Sequence, residues 1–325
     1  MLRKMPIDPI PPAADPCCNR LIFDGRVYPE PWEAYGIALV NAQFWIIQSF
    51  NGISYGALLF LVGSGLSLIF GVMRIVNLSH GAYFLWGGYI ALSVIWATGS
   101  WTLSLPVAAV AVALIGLLME RVFLRPLGFD PLRQVLLTVG FAYLFQQAAL
   151  DIWGGNNFEI DPPNALEHSV VIGGVYFPLY RVFMIATALV IGAAIWLVME
   201  KTRMGAAVRA TVDDAQMARG VGIDTNRISM LIFALGALLA ALGGVIGGGF
   251  LGIYPGLDFE ILPLAFAVVI IGGMGSLGGA AIGAILVGLA DNFGKALFPE
   301  LSYFTLYAPM VLILAIKPTG LFGRE

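Results

Sequence analysis

The chain has 325 residues, 59% hydrophobic and 11% charged, with a net charge of −3 and a mean hydropathy of +0.88. A soluble domain carries about 25% charged residues, so this composition excludes that class. Without a basic cluster nucleic acid is not an expected partner, and the adjacent Cys17 and Cys18 cannot build a disulfide framework.

Residues 1–44 read as a polar, proline-rich extension (Pro6, Pro9, Pro11, Pro12, Pro16, Pro29, Pro31) rather than the apolar stretch of a signal peptide. Apolar segments then follow at 45–70, 81–98, 102–119, 134–150, 179–199, 228–251, 261–290 and 301–316. A hydrocarbon core about 30 Å thick needs about 20 apolar residues in a helix, which these segments supply. The expected fold is all-α: a polytopic integral membrane helical bundle of about eight apolar segments, with one or two interrupted helices. Residues 45–325 form its membrane domain.

Loop charges orient the set. Loop 120–133 carries Arg121, Arg125 and Arg133, and loop 200–227 carries Lys201, Arg203, Arg209, Arg219 and Arg227. Loops 151–180 and 252–260 hold acids and no Lys or Arg: Asp151, Glu159, Asp161 and Glu167 in one, Asp258 and Glu260 in the other. The basic pair is therefore expected on the cytoplasmic side. The extension stays ambiguous, since Arg3, Lys4, Arg20 and Arg26 favour the inside while counting back from 120–133 favours the outside.

Two places break the apolar pattern. Between Gln43 and Met119 the only Asp, Glu, Lys, Arg or His are Arg74 and His80, both within 71–81. Either this is a short cytoplasmic turn, or it interrupts a helix and offers Asn77, Ser79 and His80 to a polar solute. Irregular backbone at membrane depth is tolerated only under protein or water. The second place is Gly272-Gly273-Met274-Gly275-Ser276, which can split 261–290 into two half-helices and bring the basic tail (Lys317, Arg324) inside. Glycines four apart (Gly52 and Gly56; Gly244, Gly248 and Gly252; Gly275, Gly279 and Gly283) suit close helix packing. Gln146 and Gln147 suit hydrogen bonds between helices, and Asp291 and Lys295 have the spacing of an ordinary helix ion pair.

In loop 200–227, Thr211 followed by Asp214 resembles a helix start, and Gly220 and Gly222 are stops. The short helix between them is unstable alone. Spacing alone slightly favours packing against its own spans over docking in a groove of a soluble partner. Of the four lysines only Lys201 precedes a threonine, and Glu200 stands before it where a P-loop needs glycine, so the chain is not expected to bind ATP by that route. Nucleophile elbows and metal-spaced His or Cys sets are also missing, which leaves enzyme readings unsupported. A stand-alone secondary transporter or channel is the competing transport reading. It commonly shows intramembrane carboxylates or an internal repeat, and neither is evident.

Residues Gly65 to Ala82 (GLSLIFGVMRIVNLSHGA) closely resemble the early signature of the LivH-type permeases of branched-chain amino acid ABC transporters. The loop from Arg203-Met204-Gly205 to Gly222-Ile223 is similar to that family's coupling loop, Pro263 to Gly279 to its late glycine-rich signature, and Lys317 to Gly323 to its ending. The resemblance covers about 45–325 and sides with LivH rather than the sister LivM type. It implies a bacterial inner-membrane permease that binds no cofactor itself. Its implied partners are a LivM-like second permease, two ATPase subunits that consume ATP, and a periplasmic solute-binding protein. The implied pathway residues are Asn77, Ser79, His80, Tyr83, Gly272, Gly273 and Gly275. The implied ATPase-coupling residues are Thr211, Asp213, Asp214, Ala215, Met217, Ala218 and Gly222. The family's solutes include leucine, isoleucine, valine, urea, short amides and organic acids. Two departures stand out: the long 1–44 extension, and Ser79 where relatives often have alanine.

Overall fold

The computed structural model describes residues 21–23, 26–28, 42–128, 130–172, 174–317 and 319–323. Cys17, Cys18 and most of the extension lie outside the described residues. The chain divides into two units, 1–47 and 48–325. In the first, β1 (Leu21–Phe23) pairs antiparallel with β2 (Arg26–Tyr28), Leu21 opposite Tyr28.

The helices are α1 (Ala42–Met73), α2 (His80–Thr98), α3 (Trp101–Met119), α4 (Pro131–Trp153), α5 (Leu179–Lys201), α6 (Arg203–Asp213), α7 (Ala215–Gly220), α8 (Thr225–Leu251), α9 (Leu257–Gly272), α10 (Leu277–Leu297) and α11 (Ser302–Ile316). Among the described residues, seven helices are long and apolar enough to cross a membrane: α1 to α5, α8 and α10. The apolar segments of the sequence thus fold as the expected all-α membrane bundle. α3 continues through a π turn (Glu120–Leu124) and a 3-10 turn to Leu127, so the span extends into the basic loop.

α1 and α8 are the most enclosed spans, and α4 and α5 the most peripheral. In lipid no hydrophobic drive brings helices together, so the closest approaches rest on small residues. A Cβ on Gly244 of α8 would lie 1.9 Å from the Phe84 carbonyl oxygen of α2. One on Gly56 of α1 would lie 2.7 Å from the Ala284 carbonyl oxygen of α10.

The segment 261–290 is broken, as its glycines allow. α9 ends at Gly272, and Gly273 and Gly275 take φ of 100° and 79°, left-handed geometry that glycine adopts without a Cβ penalty. Ser276 then caps α10 by accepting from the Gly279 N–H at 3.0 Å. The last carbonyls of α9 need partners, and the tail supplies them: Leu321 N–H donates to Ile271 O at 2.9 Å and Phe322 N–H to Gly272 O at 3.0 Å. The tail is therefore laced to the α9–α10 turn.

On the opposite face, β3 (Ser169–Ile172) and β4 (Val175–Pro178) form a hairpin in the acidic loop. That loop meets the other acidic loop directly: Phe158 and Ile253 exchange backbone hydrogen bonds of 2.9 and 2.7 Å.

Candidate functional site

The irregular stretch after Met73 is not a surface turn. His80 Nε2 donates to the Val62 carbonyl at 3.0 Å, and Val62 lies eleven residues, about 16 Å, before the end of α1. Leu78 N–H donates to Thr138 Oγ1 at 3.3 Å, about 10 Å into α4. Ser79 and Tyr83 both reach Met119 Sδ, about 12 Å before Leu127. Three neighbours thus agree that α2 begins inside the bundle. Arg74, with φ of 55°, makes the turn that sends the chain back inward, and its side chain is exposed.

Asn77, Ser79 and His80 are fully buried there and Tyr83 nearly so. Asn77 Oδ1 accepts from the Ser79 N–H (3.1 Å) and hydroxyl (2.7 Å), so it satisfies the polar start of α2 locally. Two polar atoms in this group have no hydrogen-bond partner among the described residues: Asn77 Nδ2 and His80 Nδ1.

A cleft of about 400 Å³ opens between α1, α5 and α10. Ile53, Gly56, Ala57 and Phe60 line it from α1, Ile185 to Trp196 from α5, and Leu277, Gly278, Ala281 and Ile285 from α10. The glycine turn at 272–275 borders the end of the cleft nearer the basic loop, because α10 starts there. Asn77, Ser79, His80 and Tyr83 are not among its lining residues. At its other end stands Arg181, one helical turn from Ile185. Its guanidinium donates to Asn51 Oδ1 and lies 4.9 Å from the Phe250 ring centroid.

On the basic side, α6 folds back against the end of α5. Gly205 packs on the Met199 carbonyl, Val208 is buried, and Arg209 donates to Met199 O while sitting 3.8 Å from Glu200. The expected start of the short helix is corrected here. Thr211 lies within α6, its hydroxyl turned back to Ala207 O at 2.8 Å. The cap of α7 is Asp214, whose carboxylate accepts from Gln216 and Met217 N–H at 2.8 and 2.9 Å. Two acceptor contacts from one carboxylate outcompete a threonine already engaged by its own helix. Asp213 ends α6, Gly222 closes α7 with φ of 91°, and Ala218 is buried. Met217 and Val221 are 66% and 72% exposed.

Residues 48–314 match the family described as "Branched-chain amino acid transport system / permease component". The chain belongs to that family. It is a transport permease subunit and a multi-pass membrane protein. The permease is 30% identical to the high-affinity branched-chain amino acid transport system permease protein BraD of Pseudomonas aeruginosa, over 86% of its own chain and 96% of BraD. It is 28% identical to LivH of Escherichia coli K12 over 86% and 96% of the two chains, and 28% identical to LivM of the same organism over 80% and 67%. No solved structure matches it.

Reading the sequence for loop charges passed over Arg181, because it falls inside the apolar segment 179–199. A signal was present: a lone arginine at the acidic-loop end of the permease's fifth span runs against the charge asymmetry of the loops, and an intramembrane charge is a functional candidate by default.

Proposed function

We propose that this permease is one of two membrane subunits of an ATP-driven importer in a bacterial inner membrane. Its solute is a branched-chain amino acid or a related small molecule. The observation that carries the reading is α7: a capped helix on the basic side that leaves Met217 and Val221, four residues apart, exposed. Apolar side chains at that spacing suit the groove of a partner. The permease has no P-loop of its own, so ATP is bound by separate ATPase subunits docked at α7, and no cofactor is bound directly. The weaker match to LivM supports a LivM-like sister subunit, and a periplasmic protein delivers solute to the acidic side.

ATPase closure then biases the bundle between inward and outward facings through differential contact at α7. The inner turn at Gly272, Gly273 and Gly275 flanks the path. Asn77, Ser79, His80 and Tyr83 supply it with buried polar groups, two of whose atoms are free to bond as the bundle rearranges. Reconstitution into vesicles tests the scheme. Uptake of leucine is expected only with the sister permease, the ATPases and ATP present; uptake by the permease alone down an ion gradient would remove the proposal.

A further inference from the structure

The cations on the acidic side of the bundle differ in one respect. Lys295 is neutralised by Asp291 at 2.7 Å. Arg181 has no carboxylate within 4 Å among the described residues, and yet it is held in place, by Asn51 on one side and the Phe250 ring on the other. A fixed, half-buried guanidinium without a counter-charge is a binding group awaiting an anion: its planar fork of donors matches a carboxylate, and one neighbour uses only part of that fork.

What lies beneath defines the rest of the ligand. Arg181 is one turn above Ile185 on the same face of α5, and Ile185 lines the cleft. The remaining wall is aliphatic, aromatic or glycine. Gly192 lets α5 close on Phe60, whose ring would stand 2.9 Å from a Cβ there. A Cβ on Gly278, near the inner end, would meet nothing within 4 Å, so the cleft continues toward the basic side.

We propose that Arg181, aimed by Asn51, binds the carboxylate of the solute at the outer mouth of this cleft, and that the cleft receives the solute's apolar part. The inference rests on the transport function proposed above and deepens it. Among the solutes that the family resemblance allows, it selects a carboxylate with an aliphatic or aromatic tail over urea or a short amide. It also moves the recognising charge to α5, away from the start of α2. A wall without polar groups below the mouth lets the ligand leave as readily as it arrives, which conduction requires.

Cysteine labelling of the assembled complex in vesicles tests this without knowing the natural solute. In a background with Cys17 and Cys18 replaced by serine, Ile285→Cys is exposed to two water-soluble methanethiosulfonates, one bearing a sulfonate and one a trimethylammonium. After correction for their rates with a free thiol, the sulfonate reagent is expected to react on the order of a hundredfold faster, since a unit charge about 10 Å away at an effective dielectric of about 20 changes each rate by more than about tenfold and in opposite directions. Arg181→Gln should abolish that preference and Arg181→Lys should keep most of it. A preference indifferent to Arg181→Gln overturns the proposal. So does a cysteine inert to both reagents, which would mean that a lipid chain or a partner helix fills the cleft. The two readings fail separately: an ATP-coupled complex with indifferent labelling removes only this one, whereas ATP-independent uptake with intact charge preference removes only the importer scheme.

Discussion

Asn77 shows how one side chain serves both local structure and a path. Its carbonyl oxygen occupies the Ser79 N–H at 3.1 Å inside the bundle, where no water competes. Asn77→Ala strands that donor, and an unmet buried donor costs about 1–3 kcal/mol. Ser79→Ala removes only a hydroxyl that already bonds to Asn77, and should stay within about 1 kcal/mol. Thermal unfolding of the detergent-purified permease checks both, and equal losses would show that the Asn77 bond to the Ser79 N–H does not hold the start of α2. His80→Ala deletes the bond to Val62 but also the unpartnered Nδ1. If these side chains serve the path, Asn77→Ala and His80→Ala should alter the ratio of leucine to urea uptake more than the amount of protein inserted. Parallel losses of uptake and protein would assign them to folding alone. The sequence pointed to these residues because a polar cluster in an apolar run is conspicuous. It left their depth undecided, because depth depends on Val62, Met119 and Thr138, which lie far along the chain.

Single elements add two contrasts. Gly244 and Gly278 are both helical glycines, but a Cβ at the first would lie 1.9 Å from a backbone oxygen while the second faces open space. Gly244→Ala should therefore cost about 1–3 kcal/mol or rearrange the α2–α8 contact, and Gly278→Ala should leave the melting midpoint unchanged or slightly raised. Similar shifts in the two variants would contradict the close approach of those helices. α7 packs Ala218 inward but turns its one large apolar side chain, Met217, away from the fold. Met217→Glu should abolish co-purification of the ATPase subunits, with membrane insertion normal; full association would remove the docking role. The existence of a short helix before Gly220 was legible from its stop signals. Its start was not: Thr211 and Asp214 both fit a capping pattern, and only the back-bonding of Thr211 to Ala207 decides between them. The apolar spans, by contrast, were readable almost to their ends, since hydrocarbon enforces a length that loops do not share.

For the whole molecule, sidedness ties the separate sites into one device. The sequence gives it only through loop charge, and the fold supplies two independent constraints. The two acidic loops touch through Phe158 and Ile253, so they share a face. The tail bonds to the α9–α10 turn, which approaches the end of α1, where a Cβ on Gly71 would lie 2.9 Å from the Gly275 Cα. That end leads to exposed Arg74 and packs near α6 and α8: Leu68 and Val72 share a buried cluster with Val208 and Ile228. The basic loop at 200–227, the inner end of the cleft and the tail therefore lie together, across the membrane from Arg181. If the face carrying the basic loop is cytoplasmic, a cysteine replacing the exposed Tyr176 of β4 should react in intact cells with a reagent that cannot cross the membrane. A cysteine at Val221 should react only after permeabilisation. The reverse pattern would put α7 outside, where no ATPase can reach it, and would set Arg181 on the face from which solute departs.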